Sequence, residues 1–570
     1  MENPLCTDPG RALRILQTSR AFQSVEAADL EGFQPRIAEI PAGAVLFRQG
    51  DAADVAYVVE QGLLGLHDQP EPKRGDRPFR RVVTGELVGE YGLLCDQPRS
   101  ATAVALTACS VLLLERGLLE RLLASRPQIT SGLLRQIAGA ASRGRGGNGG
   151  GVRSVAVLDL QPGSAGTAAA IAALSDELER LSGDAACEGL RIGIHRPTDE
   201  EDCQRQLIAI ADGDAIGVLL LSDRQLLSPR NQALIDNLAT LQNGPAPVAD
   251  PPPAGLAVHL WPADTHRART APGCSGPAAG GQPLHIRPGR PGEIARLARM
   301  LLGRATILVL GGGGARGFAH IGALAAMEEL GGPAIDMVMG VSIGSLVASL
   351  VAFDCSAAQI LSELERVIIR SRPYGLKLPT DALFSLENSR RALQEFFGDA
   401  RIEDAWRPYR AYSTNLSRKR LHGWSSGSIP DAVIASMSVP GIFPPCRDGE
   451  GHLHVDGGIL NNLPIREARR LSRGQVIAVS LDALPRDGAA ADAATGKVTG
   501  EVRRQSLATT IIDAMMCSSH AEGLRQAELA DAMLCPEIQS YSFLGWSSYR
   551  AIHAAGHREA MRVLGGAARG

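Results

Sequence analysis

The stretch ATILVLGGGGARGFAHIGALAAMEELGGPAIDMVMGVSIGSL, residues 305–346, decides the fold of the C-terminal half. ATILVL is a short, unbroken apolar run of the kind that forms a strand buried on both faces. It runs into Gly311-Gly312-Gly313-Gly314-Ala315-Arg316-Gly317 and then into FAHIGALAAMEEL, which reads as a helix. AIDMVM repeats the pattern: a strand, then Gly340-Val341-Ser342-Ile343-Gly344, then the helix-like SLVASLVAF. Strand, glycine turn and helix in succession predict an α/β unit on a parallel sheet.

Both turns carry chemistry. A glycine-rich turn between strand and helix lets backbone N–H groups converge on an anion, because no Cβ obstructs the approach. Gly312, Gly314 and Gly317 match G-x-G-x-x-G, but a dinucleotide site expects an acid closing the second strand. Asp336 precedes that strand, which counts against an oxidoreductase. The second turn is G-x-S-x-G in the setting that exposes a serine on a tight elbow, with Gly340 and Gly344 relieving the crowding around Ser342. The start of the following helix favours negative charge on a nucleophile there. Such a serine needs a base, and HLHVDGGILNNLPI, residues 452–465, places Asp456 at a strand end before Gly457 and Gly458. His452 and His454 share its strand face, so one of them could assist it; His320 reads as a packing residue. Arg316 is read as holding the glycine loop through carbonyls, with a lipid phosphate as the second reading.

GGGGARGFAHIG, GVSIGS, TNL at 414–416, SMSVPGIFPP at 436–445 and VDGGILNNLPI at 455–465 together resemble the patatin-like phospholipases, over about residues 290–570. The branch like neuropathy target esterase, with cyclic-nucleotide-binding modules upstream, is the nearer resemblance. It implies hydrolysis of acyl esters of phospholipids or lysophospholipids by a Ser–Asp dyad: Ser342 as nucleophile, Asp456 as base, and Gly312, Gly313 and Gly314 as the oxyanion hole. It implies no catalytic histidine and no required cofactor. The alternative is a cyclic-nucleotide-sensing scaffold with a vestigial lipase domain.

Upstream, residues 30–115 are short aliphatic segments punctuated by turns, which predict a small antiparallel sandwich or jelly roll. Within them Gly89-Glu90-Tyr91-Gly92 is followed by Pro98-Arg99-Ser100. A carboxylate can accept a ribose hydroxyl and an arginine can clamp a cyclic phosphate. With PAGAVLFRQGDAADVAYVVEQGLLGL at 41–66, this resembles cyclic-nucleotide-binding domains over about residues 20–130. Gly89, Glu90, Arg99 and Ser100 are the implied ligand contacts, and cAMP and cGMP both stay open as a regulatory ligand. Residues 152–243 alternate strands such as VRSVAVLDL and AIGVLLLSD with helical stretches, an α/β pattern resembling the flavodoxin-like spacer of the same branch. The expected organisation is therefore multidomain: a nucleotide-binding-type β-sandwich at 20–140, a Gly-rich linker at 143–151, an α/β middle domain at 152–290, and an α/β hydrolase with a mainly parallel sheet at 291–570, its core motifs at 305–470. The stretch Gln505–Leu564 reads as helical.

Composition narrows the function classes. Among 570 residues, 58 Lys and Arg against 61 Asp and Glu give a net charge of −3, which argues against nucleic-acid binding through bulk positive charge. Ten cysteines without a C-x-x-C pair fit neither a disulfide scaffold nor a metal site, so no metal is expected. The start, MENPLCTDPGRALRIL, lacks the pattern of a secretory signal. The longest uncharged, mostly apolar run, Met337–Phe353, is too short and too rich in Gly and Ser for a spanning helix. The expected location is cytoplasmic, with peripheral contact at the inner membrane face.

Overall fold

A computed structural model describes residues 5–125, 129, 154–243, 256–268, 282–482 and 507–567, with internal breaks. The Gly-rich stretch 143–151 and the segment 130–140 lie outside the described residues, as do Tyr91 and Gly92. Two compact units divide the chain: Met1–Pro162 with Leu178–Leu238, and Gly163–Glu177 with Ala239–Gly570. The boundary between them falls inside 152–290.

The first unit opens with two antiparallel sheets. One orders its strands Leu5–Cys6, Arg36–Ile40, Cys109–Glu115, Val55–Gln61 and Leu87–Val88; the other Val45–Phe47, Thr102–Ala105, Leu64–His67 and Arg80–Val82. Alternation along these strands sends Val59, Leu64, Val82, Ala103 and Val111 into a shared core, the burial that makes a sandwich of them. Three parallel strands follow in the same unit, Ser154–Asp159, Ile192–His195 and Ile216–Leu221. Leu63 of the sandwich joins Leu158, Leu207 and Leu219 in one apolar cluster.

The second unit takes up the strand Asn237–Asn243 from Ala239 onward, adds Leu256–Leu260 and Leu284–Ile286 parallel to it, and then holds the large sheet. Its elements are β1 (Ile307–Leu310), α1 (Phe318–Glu329), β2 (Met337–Val341), α2 (Ile343–Ala352), α3 (Glu387–Phe397), β3 (Tyr409–Asn415), β4 (Arg420–Trp424), α4 (Ile429–Met437), β5 (Cys446–Arg447), β6 (Leu453–Asp456), β7 (Val476–Val479), α5 (Leu507–Ala527), β8 (Ala532–Leu534) and α6 (Tyr549–Ala567). The strand order is β5-β6-β3-β2-β1-β7-β8, with β4 paired to β3. β3, β2, β1, β7 and β8 run parallel, while β6 is antiparallel to β3. Every residue of β1, β2 and β7 is buried, which explains their uninterrupted apolar sequence. The expected helical stretch Gln505–Leu564 is interrupted: β8 adds an edge strand against β7 between α5 and α6.

Candidate active site

β1 and β2 are paired in register from Ile307 with Met337 to Leu310 with Gly340, so the turns that follow them emerge side by side at one sheet edge. The second turn is a strained elbow. Ser342 has φ 53° and ψ −127°, a region that non-glycine residues occupy only when the surroundings enforce it. They do so here by close approach: a Cβ on Gly344 would lie 2.3 Å from the Leu310 carbonyl oxygen, and one on Gly340 2.3 Å from that of Gly344. The Ser342 N–H donates to Ser436 Oγ at 2.9 Å, and that hydroxyl donates to the Tyr412 carbonyl at 2.6 Å. Ser342 itself is nearly buried at the head of α2.

Asp456 ends β6 opposite Ser413 of β3, and its N–H donates to the Ser438 carbonyl at 2.9 Å. Its side chain caps the short helical turn Gly457–Ile459, Oδ1 accepting the Gly458 N–H at 2.8 Å. The other oxygen, Oδ2, is buried and makes no full hydrogen bond. Burial pushes the Asp456 pKa up to about 6, against the opposing influence of the Ser342 hydroxyl and the Gly458 N–H. The structure therefore brings Ser342 and Asp456 together in a dry setting that raises the basicity of the carboxylate.

The glycine loop is pinned carbonyl by carbonyl. Gly311 O accepts from His320 Nε2 at 2.7 Å, Gly312 O from Asn462 Nδ2 at 3.1 Å, and Gly313 O from the Arg316 N–H at 3.2 Å. Since a carbonyl can only accept, His320 carries its proton on Nε2, and burial lowers its pKa to about 4, keeping it neutral. One expectation needs correction here: the Gly312 N–H donates to Asn462 Oδ1 at 2.9 Å and is not open to an oxyanion. The N–H groups of Gly313 and Gly314 donate to no protein group among the described residues. A Cβ on Gly312 would sit 3.0 Å from that of Ser342, so the loop passes directly over the elbow.

The remaining sequence candidates find structural partners. Arg316 Nε donates to the Tyr541 carbonyl at 2.9 Å, a carbonyl outside the glycine loop. Buried His454 contacts Ser413 Oγ at 2.8 Å and Asp448 at 3.1 Å, and His452 also meets Asp448; neither histidine bonds Asp456 among the described residues. Asp336 accepts from both Arg299 Nε and the Thr306 N–H, bracing the start of β2, the end away from the glycine loop. Gly317 sits against Ile343, where a Cβ would come within 2.4 Å. Sequence reading missed Ser436 and Asn462. Both lie in quoted motifs, yet nothing in their spacing says which backbone they reach.

In the sandwich, Glu90 and Arg99 are both buried and Ser100 is exposed. Arg99 does not point to open space: its guanidinium donates to the Gly89 carbonyl at 2.8 Å and to the Val55 carbonyl, and stacks 4.4 Å above the Phe47 ring. Gly89, at φ 83°, leaves room for it, since a Cβ there would lie 2.3 Å from the guanidinium. Burial raises the Glu90 pKa. No group of three or more His, Cys, Asp and Glu among the described residues could hold a metal ion, and no described helix is long and apolar enough to cross a membrane.

Comparison with known proteins matches the same two regions. Residues 308–469 match the patatin-like phospholipase family and residues 37–126 the cyclic nucleotide-binding domain family. The mouse (Mus musculus) patatin-like phospholipase domain-containing protein 7 is 26% identical over an alignment covering 92% of this chain and 45% of that protein. The human (Homo sapiens) patatin-like phospholipase domain-containing protein 6 is 39% identical over 34% of this chain and 14% of its own length. Lysophospholipase nte1 of Aspergillus fumigatus is 37% identical, over 34% of this chain and 13% of its own. The chain thus spans less than half the length of these relatives.

Proposed function

We propose that this chain, which carries a cyclic nucleotide-binding domain ahead of a patatin-like phospholipase domain, is a serine esterase of phospholipid or lysophospholipid acyl groups. The observation that carries the reading is the conjunction at one sheet edge of the strained Ser342 elbow, a buried carboxylate with raised pKa and two backbone donors without partners among the described residues. In the first half-reaction Asp456 takes the proton of Ser342 Oγ as that oxygen bonds to the ester carbonyl carbon. Gly313 and Gly314 N–H groups receive the oxyanion that forms. Collapse breaks the carbon–oxygen bond to the alcohol, which leaves with the proton from Asp456, and the acyl group stays on Ser342. Water, deprotonated by Asp456, then attacks the acyl-enzyme; fatty acid departs and Ser342 regains its proton. A pKa near 6 suits a group that must accept and return a proton near neutrality.

An apolar cleft supports a lipid substrate. Leu346, Leu350, Leu364, Leu393, Phe397 and Met437 line this cleft. Leu346 is one helical turn past Ser342, and Met437 follows Ser436, whose hydroxyl holds the Ser342 N–H. A cleft so placed suits the acyl chain. Exposed Leu416 and Leu460, just after β3 and just after the Asp456 turn, give the site an apolar rim suited to peripheral contact with a lipid surface. The upstream domain is read as the receiver of cAMP or cGMP, through Gly89, Glu90, Arg99 and Ser100. Binding would require Arg99 to exchange the Gly89 and Val55 carbonyls for the cyclic phosphate.

The test is hydrolysis of a short p-nitrophenyl ester and of lysophosphatidylcholine by wild type and Ser342→Ala, each with and without cAMP and cGMP. Fatty-acid release by wild type that vanishes in Ser342→Ala is the expected result. A folded wild type that releases none, or a Ser342→Ala variant that keeps its rate, overturns the proposal.

A further inference from the structure

We propose that Asn462 is the positioning residue of the oxyanion site: its carboxamide clamps Gly312 and thereby aims the neighbouring Gly313 N–H. The inference rests on the esterase reading above and adds a residue that the dyad does not include.

The geometry is a two-point clamp. Asn462 Oδ1 accepts the Gly312 N–H at 2.9 Å while Nδ2 donates to the Gly312 carbonyl at 3.1 Å. The second bond is the one with a consequence. The carbonyl of Gly312 and the N–H of Gly313 belong to one planar trans peptide and point in opposite directions. Fixing that carbonyl fixes the direction of the Gly313 N–H, which no protein group among the described residues receives. Glycine has no side chain to hold its own peptide planes, so this loop needs an external brace at the residue that passes over Ser342.

Asn462 is itself held on two other sides. Nδ2 also donates to Asp482 Oδ2 at 3.0 Å, which fixes the amide orientation, since a carboxylate accepts only from the nitrogen. Its backbone N–H donates to Ser519 Oγ of α5 at 2.6 Å. The same side chain reaches the base turn: a Cβ on Gly458 would lie 3.0 Å from Asn462 Oδ1 and 3.1 Å from Asp456 Oδ1. One carboxamide therefore sits between the glycine loop and the turn that carries Asp456, and it sets the spacing of oxyanion donor and base. Preorganised donors of this kind do not reorient as charge develops, which is where their contribution to rate arises.

The experiment compares wild type, Asn462→Ala, and the double variant Asn462→Asp with Asp482→Asn. The double variant preserves size and the total charge of the pair and keeps an acceptor for the Gly312 N–H, but it removes the donor to the Gly312 carbonyl. Steady-state hydrolysis of lysophosphatidylcholine gives kcat and KM, and the rate of Ser342 labelling by a fluorophosphonate probe reports the same oxyanion site independently. Both variants are expected to lose about 10- to 100-fold in kcat and in labelling rate, less than the roughly 100- to 1000-fold of a donor removed outright, with KM within threefold and, in Asn462→Ala, the apparent pKa of the rate unmoved. A folded variant of either kind with kcat and labelling rate within threefold of wild type, or a loss carried by KM alone, overturns the assignment. A folded wild type that neither hydrolyses nor is labelled overturns the esterase reading instead, so the two failures are distinct.

Discussion

Replacing Asp456 with Asn should abolish hydrolysis and at the same time stabilise the domain. The carboxylate is buried, its Oδ2 makes no full hydrogen bond, and its pKa is pushed up to about 6. An aspartate in the unfolded chain titrates near 3.9, and that gap of about two pKa units is worth roughly 3 kcal/mol. The sign follows from the direction of the gap. A folded-state pKa above the unfolded one means the native protein holds the proton more tightly, so the contribution to stability is full below about pH 4 and is lost as pH rises through 6. At pH 7.5 the native state therefore carries a penalty of roughly 3 kcal/mol for its ionised base, and about half of that is gone by pH 5. Asparagine keeps Oδ1 for the Gly458 N–H and carries no charge. The melting transition of the patatin-like domain in the Asp456→Asn chain should rise by roughly 5–10 °C at pH 7.5, with a smaller gain at pH 5. Its kcat should fall at least about 100-fold, as for loss of a general base. Wild-type activity should rise with pH to a plateau through an apparent pKa near 6. A variant that melts lower than wild type at pH 7.5, or a wild-type rate flat from pH 5 to 8, would mean that Asp456 is not a buried base of raised pKa.

Three further outcomes are expected. Ala392→Trp, on the cleft wall beside Leu393, should block long acyl chains while leaving p-nitrophenyl acetate hydrolysis within twofold; each methylene excluded should lower kcat/KM about fourfold, read from a series of chain lengths. Leu416→Asp with Leu460→Asp should weaken activity on phospholipid vesicles and spare the soluble short ester, measured side by side; equal activity of variant and wild type on vesicles would mean that these two leucines do not meet the lipid. Arg99→Ala should lower the melting temperature of the nucleotide-free sandwich, because the Gly89 and Val55 carbonyls lose a charged donor worth about 2–3 kcal/mol; calorimetry that shows no change without nucleotide would mean the two bonds contribute nothing.

The fold was legible wherever local sequence and burial agree. ILVL and MVMGV are apolar throughout because both faces of β1 and β2 are covered, and the glycine turns after them announce the crossovers. β8 escaped notice because three residues, Ala532–Leu534, carry no period, and its pairing with β7 is a tertiary fact. Ser342 and Asp456 were legible because an elbow and a strand-end turn have local signatures. The partners of the glycine loop were not. Asn462 reaches Gly312 across 150 positions of sequence, and Arg99 closes on Val55 across 44, so side-chain type alone could not say that one closes an N–H expected to be open or that the other faces inward.

Four departures from ideal structure meet where the two turns leave the sheet. Ser342 is held at positive φ, and among the described residues the Gly313 and Gly314 N–H groups have no protein partner, Asp456 Oδ2 makes no full hydrogen bond and His320 Nδ1 has no partner. Each is unfavourable alone, by about 1–3 kcal/mol for a strained residue or an unsatisfied buried group. Around them the structure is saturated: β1 is paired on both sides, three successive glycine carbonyls are each accepted, and Ser436 and Asn462 brace the two turns. The concentration of these departures within two adjacent turns and the strand end beside them is the arrangement in which an incoming acyl ester would satisfy the donors, use the base and relieve the strain together.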